Sequence, residues 1–255
     1  MNQDHIYSRA AVAAIGFIVL FTIGSAGRVS ALTGEEILRK VDQNMAYDSI
    51  SYAATFAIYS GETVRTKQMK AVAVGTSKAL VEFTNPEDNG TKYLKIDKNL
   101  WIYFPSEQDT VKISGHMLKE GMMGSDVSYE DALESEDLYK KYDVTLDGTD
   151  TVDGRLCYVL KLAAQVRDVP YEVRKIWVDE ERFTSLREEM YAKSGRLLKV
   201  SRTLEVRQIE GRYFPVKVEM SDQLRQNSKT VFTMTDIKFN VPVNNSEFSL
   251  RNLSR

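Results

Sequence analysis

The chain has 255 residues, with 34 Lys and Arg against 36 Asp and Glu, which gives a net charge of −2 at pH 7. A balance this close to neutral lacks the excess of positive charge that nucleic-acid binding requires, so no nucleic-acid partner is expected. Cys157 is the only cysteine, which excludes an internal disulfide, and one cysteine with two histidines leaves no zinc site of the usual Cys/His type.

Residues 1–31 have the layout of a secretory signal peptide. Arg9 precedes an uncharged apolar run, and small residues follow it up to Ala31. We expect export to the periplasm and cleavage after Ala31. The alternative is an anchor that is not cleaved, because the apolar run is long enough to span a bilayer. Residues 32–255 then form a single domain, large enough to bury its own core.

The first predicted element is a short helix that begins at a capping box, Thr33-Gly34-Glu35-Glu36. An apolar stripe follows, formed by Ile37, Leu38, Val41 and Met45, and the opposite face is polar. We therefore expect this helix to lie against another layer of the protein.

From Ser51 onward, apolar residues recur at every second position, which indicates β-strands. One run shows the pattern clearly: Tyr52, Ala54, Phe56 and Ile58. Turn signals such as Asp147-Gly148 and Asp153-Gly154 separate the runs. Tight turns make neighbouring strands antiparallel, and the alternation with charged residues makes one face wet and the other apolar.

A long, twisted antiparallel sheet curls towards a barrel, and only two short helical stretches are available to cover its apolar face. The predicted fold class is mainly β (α+β). It consists of a single curved antiparallel sheet forming an open β-barrel of about eleven strands. Short helices cover the concave face.

The stretch Met117–Asp131 breaks the rhythm of strands. A loop rich in glycine and methionine, with Met122 and Met123, runs into a helix capped at Ser128. Methionine suits irregular apolar surfaces, so these side chains either plug the core or belong to a movable lid over a lipid-sized cavity. The nearby acids lack the spacing of a calcium loop, and we interpret them as a solvated helix face. They are Asp126, Glu130, Asp131, Glu134, Glu136 and Asp137.

No motif indicates catalysis. The sequence has no G-x-S-x-G elbow and no glycine loop after a strand that could hold phosphate. His116 is interpreted as a surface or lid residue, and Cys157 as a small packed residue on a strand. We expect no catalytic residue, no metal and no cofactor.

Three segments carry a resemblance to a known family. They are Leu100-Trp101-Ile102-Tyr103-Phe104-Pro105, Met123-Gly124-Ser125-Asp126-Val127-Ser128-Tyr129-Glu130-Asp131, and Lys175-Ile176-Trp177-Val178-Asp179 leading into Phe183. With the first helix and the order of hairpins, the likeness spans most of Leu32–Phe248. The chain resembles the LolA/LolB-like superfamily of outer-membrane lipoprotein-sorting proteins, specifically its LolA-like branch.

The resemblance implies an open barrel that holds acyl chains in its concave face. The implied function is a periplasmic carrier or chaperone, without catalysis, that moves lipoprotein acyl chains or other lipids between the inner and outer membranes. Its implied partners are an inner-membrane transporter and an outer-membrane acceptor, and we expect a monomer. Two alternatives stay open: a lipid-acting esterase or phospholipase that uses the same cavity, and an envelope sensor or scaffold that binds a membrane protein.

Eight residues are candidates for the lining and lid of a hydrophobic cavity. They are Phe56, Ile58, Phe83, Leu94, Trp101, Tyr103, Met122 and Met123. The register of the fifth run is not readable from the sequence. Either Trp101 and Tyr103 face inward, or their neighbours Leu100, Ile102 and Phe104 do.

Overall fold

The computed structural model of the protein describes residues 32–134, 138–167 and 169–254. The predicted signal peptide, residues 1–31, lies outside the described residues, as do Glu136 and Asp137. Among the described helices, none has both the length and the apolar composition needed to cross a membrane.

The described residues form three α-helices and thirteen strands. The helices are α1 (Gly34–Met45), α2 (Tyr129–Leu133) and α3 (Leu250–Leu253). The strands are β1 (Ser49–Ser60), β2 (Thr63–Val74), β3 (Lys78–Phe83), β4 (Lys92–Ile96), β5 (Asn99–Phe104), β6 (Asp109–Ile113), β7 (Tyr142–Val152), β8 (Arg155–Ala164), β9 (Val173–Asp179), β10 (Ser185–Tyr191), β11 (Leu197–Ile209), β12 (Arg212–Asp222) and β13 (Ser228–Phe239).

All thirteen described strands belong to one antiparallel sheet that stays open. The chain enters this sheet at its centre, where β1 pairs with the last strand, β13. Strands β2 to β6 extend to one edge, and β7 to β13 return from the other. The part of the chain between β6 and β7 therefore connects one edge of the sheet to the opposite edge, and we name its described residues, 114–134 and 138–141, the crossover segment. The predicted fold class, an open curved sheet with short helices on one face, is confirmed.

The strand count exceeds the predicted number of about eleven, and β7 shows why. Its residues are mostly exposed Asp, Thr and Gly, so the apolar alternation that reveals a strand is weak. Asp147-Gly148, predicted to be a turn, lies inside β7, where the pairing with β8 shifts between Leu146 and Thr149. This shift is a β-bulge, and Gly148 adopts a φ of 113° there. Asp153-Gly154 forms the turn between β7 and β8, as predicted.

Helix α1 covers β7–β9 on the face that we name the inner face. Its capping box forms as predicted, because the Glu36 amide donates to Thr33 Oγ1 at 3.2 Å and the Thr33 amide donates to the Glu36 carboxylate at 2.8 Å. Ile37 and Leu38 are fully buried against the sheet. Their strand partners are Tyr142, Leu160, Leu162, Ile176 and Val178.

The crossover segment covers the inner face of the other half of the sheet. Its side chains Met117, Met122, Met123, Tyr129 and Leu133 pack into one apolar cluster with strand residues. Those strand residues include Phe56, Ile58, Met69, Phe83, Tyr93, Leu100, Ile102 and Ile113, and the same cluster continues on β12 and β13 with Phe214, Val216, Met234 and Phe239. The inner face therefore has two covers, α1 on one half and the crossover segment on the other.

The outer face is not uniformly wet, which corrects the expectation of a single apolar face. Strands β2–β5 carry a second apolar set on the outer side, and the C-terminal residues Val243, Phe248 and Leu253 pack over it. The strand members are Val72, Val74, Leu80, Leu94, Ile96, Trp101 and Tyr103. The four residues of α3 are too few to form an independent helix, so packing against this outer patch stabilises it.

We predict that Leu253→Ala lowers the free energy of unfolding by about 2–5 kcal/mol, because it empties a fully buried site under the outer face. Leu250→Ala in the same helix is the matched control, since Leu250 is 48% exposed and should cost little. Urea unfolding of both variants measures the difference. Equal effects of the two substitutions would contradict a C-terminal cover that stabilises the sheet.

Candidate functional site

The middle of the inner face lies between the two covers and stays half-buried. Residues directly opposite each other in neighbouring strands share a face, which defines two rows across β10–β13 and β1. One row is Glu188, Ser201, Met220 and Thr230, and the other is Thr203, Val218, Phe232 and Phe56. We name the half-buried members of this region the central groove: Tyr52, Glu188, Ser201, Thr203, Val218, Met220 and Phe232.

Aromatic rings form one wall of the central groove. The Phe232 ring lies 5.1 Å from the Phe56 ring and 6.3 Å from the Tyr52 ring, both edge to face. Part of the Tyr52 side chain is exposed to solvent. Many protein atoms nevertheless surround its hydroxyl, and this burial raises the pKa of the hydroxyl to about 12. Both observations fit a ring in a recess rather than on an open surface, and the hydroxyl stays neutral at physiological pH.

A buried ion cluster borders the other side of the groove. Arg174 on β9 is 3% exposed, donates to Glu188 at 2.8 Å and also contacts the Glu134 carboxylate of the crossover segment. Burial alone would lower the pKa of Arg174, but the two carboxylates raise it above its usual value. Burial raises the pKa of Glu188 despite the arginine. One guanidinium thus joins strands β9 and β10 to the end of α2.

A second polar contact holds the start of α2 on the sheet. Asp131 accepts the Ser128 amide at 2.8 Å, which closes a capping box, and the Tyr171 hydroxyl donates to its other oxygen at 2.6 Å. Lys199 of β11 pairs with the same carboxylate and donates to Ser128 Oγ at 3.2 Å. Burial alone would raise the pKa of Asp131, but Lys199 and the hydrogen bonds hold it below its usual value.

A third contact fixes the loop before α2. The Asp126 side chain is fully buried and accepts hydrogen bonds from Ser228 and Thr230, each at 2.7 Å. Thr230 returns the contact by accepting the Asp126 amide at 2.9 Å. Arg225, in the turn between β12 and β13, donates to the Ser125 carbonyl at 2.8 Å. The loop is thereby attached to the central hairpin of the sheet.

The interpretation of these acids as a solvated helix face is therefore wrong for Asp126, Asp131 and Glu134. Their side chains turn toward the sheet, because polar groups on β9, β11 and β13 offer buried partners. In the described parts of the chain, no group of three or more His, Cys, Asp or Glu is arranged to hold a metal ion.

Arg174 and Lys199, which make two of these contacts, are not among the residues predicted from the sequence. Each stands at an inner-face position in a strand, and the next inner position after Arg174 is the apolar Ile176. A charged residue in an apolar register is the signal that could have indicated a buried partner.

The structure divides the eight predicted lining residues between two faces. Phe56, Ile58, Phe83, Met122 and Met123 belong to the inner-face cluster with the crossover segment. Leu94, Trp101 and Tyr103 lie on the outer face under the C-terminal residues, which corrects the expectation that all eight share one cavity.

The register of β5 explains this division. Leu100 and Ile102 point inward, so the alternate residues of the strand point outward. Of the five inner residues, Phe56 borders the central groove, while Ile58 and Phe83 are at most 1% exposed beneath the crossover segment.

His116 and Cys157 occupy unrelated places. His116 is exposed on the crossover segment, as expected for a surface residue. Cys157 is buried in a separate cluster with Val159 and Trp177, and burial raises the pKa of its thiol to about 11.

A polar cavity of about 320 Å³ opens between the crossover segment and the adjoining ends of β11 and β12, and we name it the mouth pocket. Lys199 and Ser128, which hold the start of α2, form part of its wall. Its charged lining residues are Lys119, Glu120, Asp126, Lys199, Asp222 and Arg225. The mouth pocket is thus polar where the central groove is largely aromatic and apolar.

Solved structures of bacterial proteins share this fold. A DUF1329 family protein from Desulfovibrio piger is 26% identical, with a TM-score of 0.80 over 86% of this chain and 97% of that one. A putative outer-membrane lipoprotein-sorting protein domain from Vibrio parahaemolyticus is 20% identical, with a TM-score of 0.77 over 87% and 98%. A LolA superfamily protein from Nitrosomonas europaea is 24% identical, with a TM-score of 0.72 over 87% and 99%.

The open sheet with its covered inner face thus has the fold of these LolA-like structures, and the resemblance seen in three sequence segments is confirmed at the level of the fold. No curated protein matches the chain. A family described as “Uncharacterized protein” has a model that matches residues 75–255, and the chain belongs to that family.

We predict that Asp131→Asn destabilises the protein in a pH-dependent way. At pH 7 the substitution leaves Lys199 buried without its counter-charge, which costs about 3–5 kcal/mol. Because the pKa of Asp131 is lowered by folding, its stabilisation is present above the unfolded pKa and is lost as the pH falls below about 4. Denaturant unfolding across pH should therefore show the two proteins converging in acid.

The control for this experiment is Asp143→Asn, on the exposed edge strand β7. It should follow the wild type within about 0.5 kcal/mol at every pH. A deficit of Asp131→Asn that stays constant from neutral pH to acid would show that the carboxylate charge does not hold α2 on the sheet.

Proposed function

We propose that this protein is an exported, periplasmic carrier that binds lipid or lipoprotein acyl chains in the central groove and does not catalyse a reaction. The observation that carries the proposal is a strip of half-buried apolar and aromatic residues on the inner face, formed by Tyr52, Val218, Met220 and Phe232. An apolar inner face that its own chain leaves partly open is suited to an apolar ligand.

The energetics of acyl chains support this choice. Transfer of one methylene from water to an apolar environment is favourable by about 0.8 kcal/mol. Moving a chain of about sixteen carbons from a membrane into water therefore costs on the order of 10 kcal/mol. A carrier between membranes must therefore offer a continuous apolar surface. Met220 and the aromatic rings of the groove provide one that adapts to different chains.

The polar contacts of the crossover segment support a cover that can move. A buried ion pair contributes little net stability over its separated, hydrated partners, so the Asp131–Lys199 and Glu134–Arg174 contacts can exchange with water at modest cost. The same contacts are directional and return the segment to one position. We propose that opening at these contacts admits and releases the acyl chain, with Met122 and Met123 as part of the moving cover.

The hydrolase alternative has no observation in its favour. His116 is exposed on the crossover segment, and Cys157 is buried in a cluster with Trp177, away from the crossover segment. The groove carboxylate Glu188 is engaged by Arg174. The sensor alternative likewise has no specific feature behind it.

The likeness to the Vibrio parahaemolyticus lipoprotein-sorting domain supports a cargo that carries acyl chains. We propose that a monomer receives its load from an inner-membrane transporter and delivers it to an outer-membrane acceptor. Native mass spectrometry of protein purified without detergent, followed by lipid extraction, tests whether a lipid is bound. A protein that is free of lipid and takes up no fluorescent fatty acid would overturn the proposal.

We predict that Ser201→Trp weakens binding of a fluorescent fatty acid at least about tenfold, because the indole would fill the centre of the groove. Arg202→Trp is the matched control, since the next residue in β11 points away from the groove and is exposed. Thermal unfolding of both variants confirms that they are folded. Unchanged binding by folded Ser201→Trp would place the ligand elsewhere.

A further inference from the structure

The mouth pocket adjoins the central groove through β11. Lys199 in the pocket wall and Ser201 in the groove are two residues apart on the inner face of the same strand, a distance of about 7 Å. Ser128 of the crossover segment also lines the pocket, so the pocket lies at the boundary between this cover and the sheet. A ligand with its chains in the groove would place its polar end here.

Three cations present unused hydrogen-bond donors to this cavity. The Lys199 ammonium uses two of its three protons, on Ser128 Oγ and Asp131. Arg225 is held across the rim by the Ser125 and Gly124 carbonyls, and its guanidinium lies 3.8 Å from Asp126. Lys119 also lines the cavity; it is exposed and forms no ion pair with any described residue.

The carboxylates of the pocket are less available. Both oxygens of Asp126 accept hydrogen bonds, from Ser228 and Thr230, and one Asp222 oxygen accepts the Leu224 amide. Glu120 and Asp222 are the other two carboxylates that line the cavity. The cavity therefore offers donors to a bound anion, while its three carboxylates, Glu120, Asp126 and Asp222, oppose a second negative charge on that anion.

This pattern discriminates between phosphate esters. A phosphodiester carries one negative charge and several acceptor oxygens, which three converging cations can bind. A phosphomonoester carries about 1.5 to 2 negative charges at pH 7 and would meet these carboxylates. A headgroup without phosphate would leave the donors unused.

We infer that the mouth pocket binds the phosphodiester headgroup of a lipid whose acyl chains occupy the central groove. The inference rests on the proposed function and narrows it, because it makes a phospholipid the cargo rather than the acylated end of a lipoprotein. Lys119 and Arg225 bind the phosphate, and Lys199 binds it from the wall that the pocket shares with the groove.

The test compares three fluorescent probes with identical acyl chains: phosphatidylglycerol, phosphatidic acid and diacylglycerol. The wild type should bind phosphatidylglycerol about tenfold more tightly than either of the others. The double variant Lys119→Gln/Arg225→Gln should lose this preference, and thermal unfolding checks that it is folded, because Arg225 also holds the loop before α2. Lys119→Gln alone, at an exposed site that does not hold the fold, should lose part of the preference.

A matched control is Lys193→Gln/Arg196→Gln, which removes the same two charges from the exposed turn between β10 and β11. It should bind like the wild type. If wild type binds all three probes equally, the headgroup inference is overturned while the acyl-chain proposal stands. If no probe binds, the proposed function itself fails.

Inorganic phosphate separates a lipid headgroup from a free anion. Millimolar phosphate should compete only weakly with phosphatidylglycerol, because it lacks the acyl chains. The inference would be overturned by two results together: phosphate stabilises the wild type but not the double variant, and the wild type shows no preference for phosphatidylglycerol. The pocket would then be a site for a free anion. A preference that persists in the double variant would overturn the inference as well.

Discussion

The Asp131 carboxylate is the interaction on which the inner face depends. It closes the cap at Ser128 that starts α2, and it also pairs with Lys199 of β11 and accepts the Tyr171 hydroxyl. A five-residue helix does not persist alone, so its position follows from this attachment. Because a buried ion pair adds direction more than net stability, the contact determines where the crossover segment lies without fixing it irreversibly.

The topology explains why a groove exists at all. The crossover segment joins β6 to β7, the two edges of the open sheet, and its described side chains leave part of the inner face half-buried. Helix α1 covers β7–β9, and the inner-face residues Tyr52, Val218, Met220 and Phe232 near the centre of the sheet stay half-buried. The space left over is bordered by Phe56 and Tyr52 on one side and by the Arg174 cluster on the other. This strand order, with only two short covers on the inner face, therefore leaves the centre of the sheet partly exposed.

Features with local causes were predictable from the sequence. The caps at Thr33 and Ser128 need only residues within one helical turn, and both form as expected. The alternation in β1 identified its inner face correctly, because that strand has one apolar side. The LolA-like fold followed from three segments that lie at the crossover segment and at β5 and β9.

Features with distant causes were not predictable. Lys199 and Asp131 are in contact although they lie 68 residues apart in the sequence. No local sequence pattern near either residue predicts the pair. In β5 both sets of alternate residues are apolar, so Trp101 and Tyr103 could not be told from Leu100 and Ile102 until the C-terminal cover was seen. The bulge at Asp147-Gly148 has the residues of a tight turn, and only its pairing with β8 distinguishes the two.

The pairing of β1 with β13 also has a consequence for how the chain folds. The two strands at the centre of the sheet come from nearly opposite ends of the domain, so their contacts have almost the greatest sequence separation the chain allows. Two hairpin arrays, β1–β6 and β7–β13, can form locally, but joining them incurs the loop-closure entropy of the whole chain. Until β13 emerges and joins them, each array presents an unpaired, apolar edge that is prone to aggregation. The central seam therefore has to close quickly for the half-formed chain to avoid aggregation.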